Sequence, residues 1–405
     1  MTQHDRETGG TEPITPGTGQ VSVSLREPAE LAEALPYLLG FYPDDSLVVV
    51  ALHGERGRFG GRLRIGIPDT EGGRAALAPQ IAECLDVSAR ARGARPDGAL
   101  VFLCQEPDEG SNGREVMERL RPLVQDLRLA CGKREMPVYE ALCLSDGRYF
   151  SYCCPDQRCC PPEGVPLGRS GTSAMAAAAA YAGIPMHGSL REMEKRLTPL
   201  GPPFSDEQKR ALDSLSLQLT PRMLRDEDRK QVRTETLALL GQLLERFQRR
   251  APKAATPSGE DAHDDGLLSH DECAAVILGL QDRETRDQAA EWMEEVDVAP
   301  ALRLWRALSR RCPGPYAVYS AALLTLAGWV AWSGGDVPTA RVSLGLALRV
   351  DPDYLLAQLL HHACNEGLDP KLVRRCLRAE REGRRYGEEG EKEEGETDGG
   401  AGSAF

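Results

Sequence analysis

The stretch VSVSLREPAELAEALPYLLGFYPDDSLVVVAL, residues 21–52, decides the fold class of this chain. Its first five residues alternate between apolar and polar side chains as a strand does, and the leucines and alanines of 28–40 recur at helical spacing. The run LVVVAL, residues 47–52, is apolar without interruption, which is typical of a strand covered on both faces. A strand, a helix and a buried strand in succession predict a sheet with helices packed on it.

The same alternation of strand and helix patterns continues downstream. The segment RFGGRLRIGIP, residues 58–68, alternates between apolar and polar positions and predicts a half-buried strand that forms a hairpin with LVVVAL. Helical patterns follow over about 73–92 and 113–131, and strand patterns over 99–104, 138–144 and 148–153. The prediction for residues 21–152 is therefore an α/β domain with a mixed sheet and flanking helices.

Shifts in composition divide the rest of the chain. Both ends and one internal segment are polar with few large apolar groups, which favours disorder or a linker. Beyond residue 171 the patterns are helical, and the spacing of Ser269 and Glu272 predicts a capping box at one helix start. The predicted order is a disordered leader at 1–20, the α/β domain at 21–152, a Cys/Pro-rich loop at 153–171, a helical extension at 172–250, a linker at 251–266, an all-α domain at 267–378 and a disordered acidic tail at 379–405.

Charge and hydropathy exclude some classes of partner. The net charge is −13 and no segment collects the Lys and Arg of a nucleic-acid groove, so no nucleic-acid partner is expected. The N-terminus lacks a basic start followed by an apolar run, and no segment approaches the length of apolar residues that spans a bilayer, so we expect a cytoplasmic protein without a membrane partner. Its twelve cysteines should then be mostly reduced thiols.

Four of these cysteines form a cluster in SYCCPDQRCCPPEG: Cys153, Cys154, Cys159 and Cys160. Four thiolates are able to bind one tetrahedral zinc ion, and zinc is the single cofactor that the sequence suggests. The usual C-x-x-C spacing is absent, and adjacent cysteines in extended backbone direct their side chains apart. A redox or disulfide role and partly buried structural thiols therefore remain as alternatives, with no cofactor expected in the last case.

A second candidate site lies where PDDS precedes the apolar run. Asp45 and Ser46, together with Arg64 on the following strand, are candidates for binding a small polar ligand. The alternative is that Asp45 and Ser46 satisfy backbone amides in a turn, where such residues normally act. Phosphate-binding glycine loops, a G-x-S-x-G elbow and an H-E-x-x-H pair are absent from the sequence, so catalytic residues are not identified.

The helical half contains one pattern similar to a tetratricopeptide repeat. Gly328, Ala340, Ala347 and Pro352 match its small-residue and terminal-proline positions, whereas Ala331 stands where an aromatic residue is usual. Small residues at these positions let two helices approach closely, so the pattern predicts one tetratricopeptide-like helical hairpin.

Three passages carry a resemblance to a known family: LPYLLGFYPDDSLVVVAL, YFSYCCPDQRCCPPEGVPL and AWSGGDVPTARVSLGLALRVDPDYLLAQLL. Over about residues 21–377 the chain resembles an actinobacterial family known only as a domain of unknown function, number four-one-nine-two. In its relatives a single Cys precedes Cys-Cys-Pro, which corresponds here to Cys153 or Cys154 with Cys159 and Cys160. The chain departs from the family at Gly66, where relatives tend to carry an acidic residue. The resemblance implies the architecture and a bacterial cytoplasmic setting, and no catalytic residues.

Two functional hypotheses follow from the sequence. The first is a non-catalytic binding or scaffold protein with an unknown protein partner, based on the helical half and the missing catalytic motifs. The alternative is an enzyme, or a metal- or redox-dependent sensor, that uses the α/β crevice and the cysteine cluster.

Overall fold

In the computed structural model the chain forms two compact units, Met1–Leu190 and Arg191–Phe405. The structure describes residues 10–14, 21–25, 27–54, 57–91, 93, 95–168, 171, 174–183, 185–254 and 256–383. The strands are β1 Gly10–Ile14, β2 Val21–Leu25, β3 Ser46–His53, β4 Arg58–Gly66, β5 Gly98–Cys104, β6 Val138–Ser145, β7 Arg148–Ser151 and β8 Val165–Pro166. The helices of the first unit are α1 Pro28–Leu39, α2 Glu71–Ala91, α3 Gly113–Gly132 and α4 Ala174–Tyr181.

The first unit contains a six-stranded mixed sheet in the order β4-β3-β5-β6-β7-β8. Only β5 and β6 run parallel, joined by α3, and the other neighbours in this sheet are antiparallel. The predicted hairpin is present, with Leu47 opposite Ile65. The prediction of a mixed sheet with flanking helices is thus confirmed.

Alternating side chains explain why β3 is apolar on both faces. Val49 pairs with Val101 of β5, and both belong to the core that α2 and α3 cover. The intervening Val48 and Phe102 also pair, and both are buried although they lie outside that cluster. Successive strand residues point to opposite faces, so the uninterrupted run reflects burial on both sides of the sheet.

The N-terminal leader differs in part from its prediction. Residues 10–14 form β1, which pairs antiparallel with β2 in a separate two-stranded sheet. Backbone hydrogen bonds between strands do not require apolar side chains, which is why a polar composition did not reveal this strand. The remainder of the predicted leader lies outside the described residues.

The described part of the second unit is helical. Its elements are α5 Leu190–Lys195, which begins at the unit boundary, α6 Phe204–Met223, α7 Asp226–Arg249, α8 Pro257–Asp265, α9 His270–Gly279, α10 Arg283–Ala289, α11 Glu295–Ser309, a 3-10 helix Gly314–Tyr319, α12 Ser320–Ser333, α13 Val337–Val350 and α14 Leu355–Asn365. Residues 371–383 are also helical, so 379–383 of the predicted tail continue a helix, and 384–405 lie outside the described residues. The capping box of Ser269 and Glu272 is present at the start of α9.

The segment 251–266, which its polarity predicted to be a linker, contains α8 instead. Three acidic residues of α8 each pair with an arginine from elsewhere in the second unit. Arg196 contacts Asp261 at 2.9 Å, Arg303 contacts Asp264 at 3.1 Å, and Arg310 contacts Asp265 at 3.0 Å. The polar sequence therefore reflects ion pairing rather than a lack of packing.

One helical run among the described residues, Gly314–Ser333, is long and apolar enough to cross a membrane, with a mean hydropathy of 1.2. The expectation that no segment approaches that length is therefore wrong. Since 78% of its apolar window is buried inside the protein, packing in the core of the second unit accounts for its composition.

Candidate metal centre

The strand β7 positions the start of the cysteine loop. Tyr152, directly after β7, is buried and donates a hydrogen bond from its hydroxyl to the carbonyl of Met117 on α3 at 2.8 Å. The guanidinium of Arg121 lies 5.5 Å from the centre of the same ring. These contacts fix the backbone where the loop leaves the sheet.

Ser151 connects the loop to the half-buried carboxylate of Glu140. Its hydroxyl oxygen accepts hydrogen bonds from the backbone N–H groups of Cys153 at 3.1 Å and Cys154 at 2.9 Å. The same hydroxyl donates to Oε1 of Glu140 at 2.9 Å, and the backbone N–H of Ala141 also donates to that oxygen. Burial raises the pKa of Glu140, while these two hydrogen bonds act in the opposite direction.

The two cysteines that follow Ser151 have different surroundings. Cys153 packs against the apolar core between the sheet and α3. Burial, followed by the nearby charge of Glu140, raises the pKa of the Cys153 thiol to about 11. Cys154 instead lies with the cysteines further along the loop.

A turn centred on Asp156 brings the second cysteine pair back. Its carbonyl oxygen accepts the backbone N–H groups of Cys159 at 3.1 Å and Cys160 at 2.8 Å. Its carboxylate accepts hydrogen bonds from Arg158, which lower the pKa of Asp156. The turn leaves the Sγ atoms of Cys159 and Cys160 only 3.9 Å apart.

Three sulfur atoms converge as a result. The Sγ atoms of Cys154, Cys159 and Cys160 all lie within 4.8 Å of one another. Sulfurs at three corners of a tetrahedron with zinc bonds of about 2.3 Å would be about 3.8 Å apart, so a contraction of roughly 1 Å or less would close the site around an ion. Burial and the neighbouring Cys154 thiol raise the pKa of Cys160, so a bound metal must displace its proton.

The structure thus brings together three of the four predicted cysteines and places Cys153 elsewhere. The side chains of the adjacent Cys153 and Cys154 diverge, as the sequence predicted. Those of Cys159 and Cys160 converge instead, because these two residues lie in a turn rather than in extended backbone. The sequence did not identify Ser151, Glu140 and Asp156 as residues that position the cysteines. The one pattern that indicates such a role is Asp156 followed two residues later by Arg158, because this pair lies between the two cysteine pairs.

Polar groups of the second predicted site form hydrogen bonds within the chain. Ser46 is fully buried, and its hydroxyl donates to the carbonyl of Asp44 at 2.6 Å and accepts from Nη1 of Arg64 at 3.1 Å. Asp45 has a positive φ of 42°, and its carbonyl accepts the N–H of Ile67 at 2.9 Å. These contacts place Asp45 and Ser46 in the turn that enters β3, and they bring Ser46 and Arg64 of the predicted site together.

The fold and the loop define a two-unit protein with a mixed-sheet α/β unit that carries a cysteine loop, and a helical second unit. A family model described as "Domain of unknown function (DUF4192)" matches residues 28–371, and the chain belongs to this family. The match includes the cysteine loop, α8 and α12–α14. Comparisons with curated proteins and with solved structures gave no match.

Proposed function

We propose that this chain is a non-catalytic, metal-dependent sensor that binds one metal ion through Cys154, Cys159 and Cys160. The observation that carries the proposal is the convergence of these three sulfur atoms within 4.8 Å. Thiolates at such distances are suited to zinc or another ion that prefers sulfur. The thiols must be reduced to bind, so the proposal requires a reducing compartment such as the cytoplasm.

The cysteines of this cluster are more exposed than the fully buried thiols of the same unit. Cys131 and Cys143 are fully buried in the core, whereas Cys159 is exposed and Cys154 and Cys160 are half-buried. A thiol that only fills space gains from complete burial, but a ligand must be reachable by the ion. The exposure of the cluster therefore supports a binding role.

The surroundings of the cluster support sensing rather than catalysis. The carboxylate of Asp156 accepts hydrogen bonds from Arg158, and the half-buried carboxylate of Glu140 accepts hydrogen bonds from Ser151 and Ala141. A metal-dependent hydrolase needs a base within hydrogen-bond reach of the metal-bound water. Metal binding would instead fix the loop that follows β7, which is a conformational response.

Metal analysis tests the proposal. Full-length protein purified without chelator and incubated with zinc under reducing conditions should retain about one equivalent after desalting. The double variant Cys159→Ser/Cys160→Ser should retain much less, while Cys153→Ser, the matched control, should retain as much as the wild type. Equal zinc content in all three proteins would contradict the proposal.

A second candidate function, binding of a protein partner by the helical unit, is favoured by exposed leucines. Leu355 and Leu359 of α14 are 65% and 58% exposed one helical turn apart, and Leu372 is 57% exposed. Exposed apolar groups on neighbouring turns are typical of protein-interaction surfaces. The tetratricopeptide-like pattern of α12 and α13 is consistent with this role and remains part of the proposal.

This second candidate is tested with immobilised full-length protein and cell extract. A partner should be retained by the wild type and by Leu217→Asp, which changes a 79% exposed leucine on α6, but not by Leu359→Asp. Equal retention by the three proteins would argue against α14 as a binding surface.

A further inference from the structure

We infer that the site of Cys154, Cys159 and Cys160 takes cuprous copper in three-coordinate, all-sulfur geometry in preference to zinc. The inference rests on the proposed metal-binding function and deepens it by naming the class of ion. It follows from the number of ligands, their chemical type and their access to solvent.

The number of ligands is three. Cys153 is half-buried and packs against the core between the sheet and α3, so its side chain would have to leave this contact to supply a fourth sulfur. Among the described residues, no further His, Cys, Asp or Glu ligand atom joins the three sulfurs within 4.8 Å. Structural zinc sites normally have four protein ligands, so three leave a zinc ion incompletely coordinated by this chain.

The spacing of the sulfurs suits a three-coordinate ion. Three sulfurs in one plane around an ion at about 2.3 Å would lie about 4.0 Å apart, against about 3.8 Å for three corners of a tetrahedron. The distance of 3.9 Å between Cys159 and Cys160 fits both geometries, so the ligand count decides between them. Soft thiolates in a set without nitrogen or oxygen ligands favour Cu(I).

Exposure makes the bound ion exchangeable. Cys159 is exposed while Cys154 and Cys160 are half-buried, so an incoming thiolate could reach the ion from the side of Cys159. Binding replaces each S–H bond with an S–Cu bond and releases the proton to solvent, with no change in the oxidation state of copper or sulfur. The site is therefore suited to acquiring and releasing Cu(I) from other thiol ligands.

The test uses full-length, fully reduced protein under anaerobic conditions. Cu(I) is titrated against a competing chromogenic Cu(I) chelator, zinc is titrated separately, and X-ray absorption counts the sulfur ligands of each bound ion. We expect three sulfurs around Cu(I). Loss of a residue that only orients a metal ligand lowers metal affinity by about 10–100-fold. Each of Cys154→Ser, Cys159→Ser and Cys160→Ser removes a ligand and should lower Cu(I) affinity by more than that. Cys153→Ser and the exposed-site control Cys84→Ser should leave the affinity at the wild-type value.

The outcomes separate this inference from the function on which it rests. Zinc held by these three cysteines, with Cu(I) bound no better by the wild type than by Cys160→Ser, would overturn the inference and leave the metal-binding proposal intact. A fourth sulfur that disappears in Cys153→Ser would also overturn it. Failure of both ions to depend on the three cysteines would refute both proposals.

Discussion

The hydroxyl of Ser151 donates a hydrogen bond to the half-buried carboxylate of Glu140 at 2.9 Å and accepts hydrogen bonds from the backbone N–H groups of Cys153 and Cys154, which begin the cysteine loop. The pair thus joins the sheet to the loop through one oxygen atom. The metal ligands lie beyond this junction, so their position depends on groups that do not touch the ion.

Replacing Ser151 with alanine should therefore weaken both the fold and the site. The variant leaves two backbone N–H groups and one half-buried carboxylate oxygen without this partner, and we expect a loss of about 1–3 kcal/mol in the free energy of unfolding. Metal affinity should fall by about 10–100-fold, as for other residues that position metal ligands without touching the ion. Urea unfolding and metal titration measure the two effects, with Ser111→Ala as the control because no side-chain hydrogen bond is seen for Ser111. Wild-type behaviour of Ser151→Ala in both measurements would show that the junction does not position the loop.

Glu140 should make the stability of the first unit depend on pH. Burial raises the pKa of Glu140 in the folded state above the ordinary value of 4.5. The protonated side chain therefore contributes its full stabilisation below pH 4.5, and this stabilisation is lost as the pH rises through the folded-state pKa. Glu140→Gln cannot ionise and avoids this loss. Its stability relative to the wild type should therefore increase from about pH 4 to about pH 8 in urea unfolding. The exposed Glu109→Gln serves as control, and a Glu140→Gln difference that is constant with pH would contradict the expectation.

The ion pair between Arg303 and Asp264 should be among the costliest to break. The side chain of Asp264 is 2% exposed and that of Arg303 is 16% exposed, so removing the guanidinium leaves a buried charge uncompensated. Arg303→Met should lower the free energy of unfolding by about 3–5 kcal/mol. The control is Arg283→Met, whose guanidinium is 85% exposed and should matter by no more than about 0.5 kcal/mol. Similar unfolding midpoints for the two variants would mean that α8 is not held by its ion pairs.

Gly328 should tolerate no side chain at the contact between α12 and α13. A Cβ atom there would lie 2.6 Å from Cγ of Leu344, which is itself fully buried. Gly328→Ala should cost about 1–3 kcal/mol of stability, and the same change should cost less in a Leu344→Ala background, which removes the clashing side chain. Gly345→Ala on α13, where a Cβ meets nothing within 4 Å, should instead stabilise the protein by about 0.5–1 kcal/mol. Thermal unfolding measures all three, and a neutral Gly328→Ala would show that the helices separate easily.

Local patterns in the sequence were enough to predict the mixed sheet and the start of one helix, α9. The alternation around Leu63 and the unbroken run at Val48–Val50 depend only on which faces are buried, and the spacing of Ser269 and Glu272 depends on one turn of helix. The hairpin and the capping box were therefore predictable.

Contacts between residues that are far apart in the sequence could not be predicted from such local patterns. The acidic residues of α8 look the same in sequence whether they face water or distant arginines such as Arg310, which lies 45 positions after Asp265. The cluster of three cysteines likewise depends on a turn closed by the backbone carbonyl of Asp156. Every residue has a backbone carbonyl, so the sequence does not show which one closes a turn.

The separation of Cys153 from the other three cysteines has a consequence for oxidation. An odd number of neighbouring thiols cannot be consumed by pairing among themselves, because one internal disulfide uses two sulfurs and leaves the third as a thiol. Under peroxide stress that remaining sulfur is available to glutathione or to a second protein molecule, whereas the half-buried Cys153 packs against the core, away from the three clustered sulfurs.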